Sequence, residues 1–457
     1  MPVLPSSPPL QLAPNFPSRY PLQLLRRYRR ERLTMIEEAR AMGDVVRLRL
    51  TRGRTLTLVF APEDVEHVLV THASNYDKKT PGYERLRDLL GQGLLTSEGD
   101  LWRRQRRIVQ PLFKRRQVAD FGPTMTDTAR ALAADWELAA DSGQPLDVAQ
   151  AMNHLALEVV GKALFSADLR GESDDLGRAL HTALQWFMSL LTIPIPGYVH
   201  WPTPLNRRGR RAVRWLDQTV HGLIEARREG EQPDPPDLLA RLMQATDEAG
   251  QPMPDKLLRD EALTMLLAGH ETTANALGWT FLLLAQHPDV AAQLEQEVDA
   301  ALGGRAAEVA DLERLPYTWQ VLQEGMRLYP PAWVIARRSL GEDRLGGFRI
   351  PPRSNVILCQ YAIQRHPALW PDPTRFDPSR FAPGWEQSQH RYAYFPFGGG
   401  QRLCLGETFA RQEAVITLAT LVQRYRLELV PGQQIVLEPS VTLRPRDGIR
   451  VLVRRRG

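Results

Sequence analysis

The residues best suited to chemistry stand late in the chain, in Phe397-Gly398-Gly399-Gly400-Gln401-Arg402-Leu403-Cys404-Leu405-Gly406. A run of glycines lets the backbone turn tightly beneath a flat cofactor and aim N–H groups at a sulfur. The periodic apolar pattern over 404–425 puts the cysteine at the mouth of a helix, whose dipole favours a thiolate. The segment therefore reads as a site for an anionic sulfur ligand. Cys359, the other of the two cysteines, lies in the strand-like Asn355-Val356-Ile357-Leu358-Cys359 and reads as an inert, buried thiol.

A second constellation lies in a long helix read over Leu257–Gln286, which is apolar on nearly every side yet carries His270, Glu271, Thr272, Thr273 and Asn275 at its centre. A carboxylate at mid-span is costly in lipid, so a helix crossing a large core fits better than a membrane span. Taken alone, Thr272 is expected to bond back to the Ala268 carbonyl, the usual fate of an interior helix threonine. A third is Glu324-Gly325-Met326-Arg327, with acid and base at i,i+3 on one helix face, ordinarily a surface pair.

The elements that must position these groups follow from periodicity. An amphipathic basic helix is expected near 21–42, then a hairpin from Val45–Leu50 and Thr55–Val59 around Thr51-Arg52-Gly53-Arg54. Helical spacing dominates from about 62 to 330, broken at Pro194–Gly197 and Gln232–Pro236. Short strands return over 332–362 and 426–454, and a Pro- and aromatic-rich irregular stretch, 365–395, is too long for an idle connection. The 457 residues show no repeat or flexible tether, so one continuous core is expected.

Hydrophobic residues at 43% and charged residues at 24% exclude disorder and a polytopic membrane protein. The first 21 residues hold seven prolines and neither a signal peptide nor a membrane anchor, so a cytoplasmic protein is expected, in a reducing compartment that leaves both thiols free. The net charge of +5 suits an acidic partner and allows peripheral membrane contact; nucleic acid is not expected.

The glycine-rich loop matches F-x-x-G-x-R-x-C-x-G at every fixed position, and by it the chain resembles the cytochrome P-450 superfamily of haem-thiolate monooxygenases. Other motifs agree in order over about 40–454. Ala268-Gly269-His270-Glu271-Thr272-Thr273 is similar to the family's oxygen-activation segment. Glu324-x-x-Arg327 and Pro378-Ser379-Arg380-Phe381 resemble its E-x-x-R and P-x-R-F elements, and Trp102–Arg106 its W-x-x-x-R helix.

The resemblance implies a mainly α fold with a small β-rich lobe, a single domain over 21–457 behind a proline-rich arm, 1–20, with haem b between the long helix and the cysteine loop. It makes Cys404 the axial iron ligand, and places Phe397, Gly398, Gly406 and Ala268 against the haem. Trp102, Arg106, Arg337 and Arg402 would bind its propionates, since an Arg fork suits a carboxylate. Glu271 and Thr272 would deliver the protons that splitting dioxygen requires. Glu324, Arg327 and Arg380 would form a structural charge network.

The implied reaction inserts one oxygen atom of dioxygen into a C–H bond, with electrons originating from NAD(P)H. The segment after Cys404 is too short for a fused reductase, so a ferredoxin or flavodoxin and its reductase are expected, docking on the basic face of Arg103, Arg104, Arg107 and Lys114–Arg116. A peroxide-dependent haem hydroxylase and a non-catalytic haem sensor are the alternatives; neither needs the Glu271–Thr272 pair. The segments that line the family's chamber, 78–95, Trp186–Trp201, Ala268 and Trp333-Val334-Ile335, are largely apolar here, which points to a large lipophilic substrate. Leu328–Trp333, Tyr394–Phe397 and Gln401–Gly406 resemble bacterial members that hydroxylate carotenoid rings, and fatty-acid hydroxylases share Ala268–Thr273, so the resemblance implies a carotenoid or terpenoid, or a fatty acid. Cys404→Ser is expected to abolish the far-red-shifted Soret band of the reduced carbonyl complex, while Cys359→Ser keeps it; the reverse result would exchange their roles.

Overall fold

The long helix read over Leu257–Gln286 runs from Asp255 to Gln286, 32 residues, and most of its side chains are buried. The structure, a computed structural model, describes residues 11–17, 21–51, 54–166, 173–192, 197–230 and 237–456. The helix breakers at 194–196 and 232–236, the hairpin residues 52–53 and most of the proline-rich arm lie outside them.

The chain divides into two compact units. The smaller contains the described residues up to Thr80 with Trp333–Pro373 and Glu386–Leu403. Its first helical segment differs from the expected 21–42. Two helices form, α1 (Pro21–Arg30) and α2 (Arg32–Arg40), because Glu31 leaves helical geometry at φ −134°, ψ 40°. The break lets Arg27 ion-pair with both Glu31 and Glu38. In a straight helix the latter would stand roughly 16 Å away along the axis.

The hairpin forms as expected from β1 (Val45–Thr51) and β2 (Arg54–Val59), paired antiparallel. With β3 (Tyr76–Asp77), β5 (Ile335–Ser339) and β6 (Asn355–Leu358) it makes a five-stranded sheet in the order β1-β2-β6-β5-β3. The alternation in β1 puts Val46, Leu48 and Leu50 inside. The described part of the arm joins this unit, with Phe16 buried and its N–H donating to the Arg47 carbonyl.

The larger unit holds the remaining described residues and is mainly helical. Its members include α3 (Pro81–Leu90), α4 (Gly99–Val109), α5 (Gly122–Ser142), α6 (Val148–Phe165), α7 (Ser173–Thr192), α8 (Pro204–Arg228), the long α9 (Asp255–Gln286), α10 (Pro288–Leu302), α11 (Pro316–Leu328) and α12 (Glu407–Val422). The apolar segment 78–95 contains α3.

Two small sheets complete the unit, one from β8 (Leu437–Pro439) and β9 (Leu443–Pro445), the other ordered β4 (Leu146–Asp147), β10 (Arg450–Arg455), β7 (Tyr425–Leu429). α9 packs along α6, and α12 against α5 and α9. Trp279 of α9 stacks on Tyr329 with ring centroids 4.6 Å apart and donates its indole N–H to the Leu443 carbonyl at 2.9 Å. A buried indole needs such a partner, and this one fixes α9 against β9.

Candidate active site

The helix expected from 404 starts at Glu407, with Gly406 as its N-cap residue. Cys404 thus precedes the helix, and the amides at the helix mouth are turned to the sulfur. The Gly406 and Glu407 N–H groups favour the charged sulfur, as does the Arg106 guanidinium; burial outweighs them and pushes the thiol up. A metal cation bound there would deprotonate it outright. The sulfur is accessible although protein atoms crowd around it, as at the floor of a recess.

The preceding part of the loop belongs to the smaller unit. Gly400 lies at φ +64°, where an added Cβ would stand 2.0 Å from the Leu69 carbonyl oxygen, so only glycine fits against the turn 67–71. Phe397 and Gly398 are half-buried, Arg402 closes the turn Gly400–Arg402, and Arg337 is buried on β5. These four residues lie in the smaller unit, whereas Cys404, Gly406, Trp102, Arg106 and Ala268 lie in the larger.

α4 carries buried Trp102 and, one turn on, Arg106, whose Nε donates to Gln110 at 3.3 Å. Burial holds Arg106 below the usual guanidinium range, and the Cys404 charge opposes that shift. Arg106 and the sulfur are thus brought together.

In the middle of α9, Ala268 is exposed and Gly269 and Thr272 are partly so, while Leu266, Leu267, His270, Glu271 and Thr273 are buried. A helix sealed elsewhere opens at one turn. Thr272 Oγ1 donates to the Ala268 carbonyl at 2.6 Å, as expected of an interior threonine. Its oxygen still has lone pairs to accept with. Burial pushes the Glu271 carboxyl up to about 6, against the charge-favouring Arg444 and the nearby Thr442 hydroxyl. It lies close enough to neutrality to take up and release a proton.

Thr442 and Glu413 escaped sequence reasoning. Thr442, in the turn between β8 and β9, accepts from Asn275 Nδ2 at 3.2 Å, and nothing local marks a threonine 167 residues from its partner. Glu413 on α12 is fully buried beside the Thr273 hydroxyl, with its carboxyl pushed well up by burial. A lone acid inside an apolar helix was the signal available for it.

Glu324, Arg327 and Arg380 come together. Arg327 Nε and Nη2 donate to Glu324 at 2.6 and 2.7 Å, both side chains fully buried. Arg327 Nη2 also reaches the Arg375 carbonyl, Glu324 Oε1 accepts from the Asp377 N–H at 3.0 Å, and Arg380 Nε stands 3.5 Å from Glu324. The network pins the irregular stretch 374–385 onto α11.

The donor set suits an iron porphyrin: a recessed sulfur addressed by two amides, an arginine and a tryptophan on one helix, and an opening beside Ala268 and Thr272. Comparison with known proteins agrees. The model of the family Cytochrome P450 matches residues 10–453, further toward the start than the motifs alone. The chain is 37% identical over 416 residues to "Cyclooctatin synthase" of Streptomyces melanosporofaciens, covering 91% of this chain and 89% of that protein. It is 35% identical over 406 residues to "Cyclooctat-9-en-7-ol 5-monooxygenase" of the same organism, covering 88% and 86%.

A cyanobacterial structure solved with retinoic acid bound superposes with a TM-score of 0.85 at 27% identity, over 98% of this chain and 100% of that one. The chain therefore belongs to the cytochrome P450 family. It is a haem enzyme, an oxidoreductase of the monooxygenase class, and its mainly helical fold with small sheets is the fold of that family. No described helix is long and apolar enough to cross a membrane. Removing one partner of a buried ion pair costs about 3–5 kcal/mol through the charge left behind. Arg327→Ala is accordingly expected to yield mainly haem-free protein; a normally loaded variant in the absorption spectrum would contradict this.

Proposed function

We propose that this enzyme hydroxylates a large lipophilic substrate of the terpenoid or carotenoid kind, with Cys404 as the iron ligand and Glu271 and Thr272 delivering protons. The observation that carries this reading is the opening of α9 at Ala268–Thr272 next to a buried carboxyl held near 6. When bound, haem supplies the activation of dioxygen. Thr272, tethered to Ala268, presents its hydroxyl oxygen at the opening, and Glu271 behind it exchanges protons near neutral pH. Trp102, Arg106, Arg337 and Arg402 would hold the propionates, with Phe397, Gly398, Gly406 and Ala268 against the ring. Glu324, Arg327 and Arg380 act structurally, and we take 21–457 as one catalytic domain.

Small, apolar Ala268 at the opening supports an apolar substrate. So do relatives named for cyclooctatin chemistry and a structural neighbour holding retinoic acid. Electrons would come from NAD(P)H through a ferredoxin or flavodoxin in the cytoplasm. The docking face shifts from the one read in the sequence. Arg103, Arg104 and Arg107 are paired with Asp100, Asp247 and Glu248, which leaves the exposed Lys114, Arg115 and Arg116 as the stronger basic patch.

A panel of terpenes, carotenoids and fatty acids is expected to give haem spin-state shifts with the first two classes; a response to fatty acids alone would reassign the substrate. With the best ligand, Thr272→Ala should keep haem and substrate binding but divert most reducing equivalents into hydrogen peroxide. Unchanged coupling, or full-rate turnover with peroxide and no donor, would sink the relay.

A further inference from the structure

The N-terminal third of α9 contains two successive buried acids, Asp260 and Glu261, that the oxygen chemistry does not use. Both are turned to the segment 91–97, which joins α3 to α4. Asp260 Oδ2 accepts from the Gln92 N–H at 2.7 Å and Glu261 Oε2 from the Leu94 N–H at 3.0 Å. The loop lies so close that a Cβ at Gly91, which has φ +65°, would fall 2.1 Å from Asp260 Oδ1, and one at Gly93 2.2 Å from Thr264 Oγ1. A Gly-x-Gly step here is what allows backbone to lie directly on a helix.

The same loop is tied at both ends. Arg87 of α3 donates to the Thr96 carbonyl at 2.7 Å, and Gln105 of α4 donates to the Gln92 carbonyl at 2.7 Å. Gln105 lies between Trp102 and Arg106 on α4, so the attachment of the loop to α9 sets where that helix stands. On the far side, Arg259 bridges Asp260 and Asp217 of α8, giving Asp260 a cation. Among the described residues no cation acts on Glu261, and its Oε1 is buried with no hydrogen-bond partner.

We propose that Asp260 and Glu261 are positioning residues, a latch that fixes loop 91–97 and through it the haem-facing helix α4, and that ionisation of Glu261 releases it. The coupling to haem rests on the assignment of Trp102 and Arg106 above; the latch itself does not. The charged group acting on Glu261 is Asp260 on α9; Arg259 pairs with Asp260 and with Asp217 of α8, Arg87 of α3 binds the far end of the loop, and Gln105 and Thr264 are neutral. Asp260 opposes a second charge beside it.

Burial pushes the Glu261 carboxyl up to about 8, so the closed latch holds it protonated at neutral pH. Once the loop opens, water returns it to the ordinary carboxylate range. Opening therefore releases a proton. It is least favourable in acid, gains at most about tenfold per pH unit up to about 8, and is flat above.

Amide hydrogen exchange of residues 91–97, corrected for intrinsic pH dependence, reads the latch in both haem-free and loaded protein. Transfer of haem to apomyoglobin reads α4. Wild-type protein should show loop exchange and haem loss both rising between pH 6 and 8. Glu261→Gln, neutral at every pH with the same acceptor, should flatten both profiles at the low, protected level. Glu261→Ala should leave the loop exchanging fast at all pH while α9 stays protected.

A wild-type loop profile flat in pH, or one that Glu261→Gln leaves steep, would overturn the latch. Protection of the loop undiminished in Glu261→Ala would do so as well. If loop exchange follows pH as described while haem transfer does not, the latch stands and the haem assignment of Trp102 and Arg106 fails.

Discussion

A helix of 32 residues buried on nearly every side, α9, leaves its polar side chains without water, and each must find a protein partner or lose its charge. Those partners are distributed through the larger unit, and they account for much of its assembly. Asp260 and Glu261 hold the loop before α4, Asn275 and Trp279 hold the turn and strand at 442–443, and Thr273 faces Glu413 on α12. The element that would face dioxygen thus also fixes the helices that would grip the haem.

The protein treats buried acids in two ways. Glu324 receives a bidentate arginine, a second arginine and a backbone amide, an arrangement that spends its hydrogen-bonding capacity on fixing one geometry. Burial raises the carboxyl of Glu324 as it does those of Glu261, Glu271 and Glu413, but the last three have no bidentate arginine to oppose it. The first kind makes a rigid floor for the irregular stretch. Among the second kind, Glu271, pushed up to about 6, lies close enough to neutrality to take up and release a proton.

The same contrast separates Cys404 from Cys359. Cys359 is sealed in the smaller unit, with its thiol driven far up by burial alone in the main. Cys404 meets two helix-mouth amides and Arg106 at an accessible recess, where burial is opposed from three directions. Two cysteines of equal composition are thereby assigned unequal chemistry by their surroundings.

What the sequence by itself determined was everything carried by local pattern. The loop around Cys404, the extent of the long helix, the hairpin of β1 and β2 and the Glu324–Arg327 pair depend on spacing within a few residues, and the structure keeps them. Tertiary structure decided what spans the chain. It broke the helix at Glu31 so that Arg27 could reach Glu38, and delayed the helix after Cys404 so that its first amides could face the sulfur. It neutralised Arg103, Arg104 and Arg107 with acids, two of them more than a hundred residues away in sequence, and brought Thr442 to Glu271 and loop 91–97 to Asp260. Periodicity reports which face of an element is buried, but not against which distant group; that depends on packing, and in a buried helix packing sets the charge of every acid it carries.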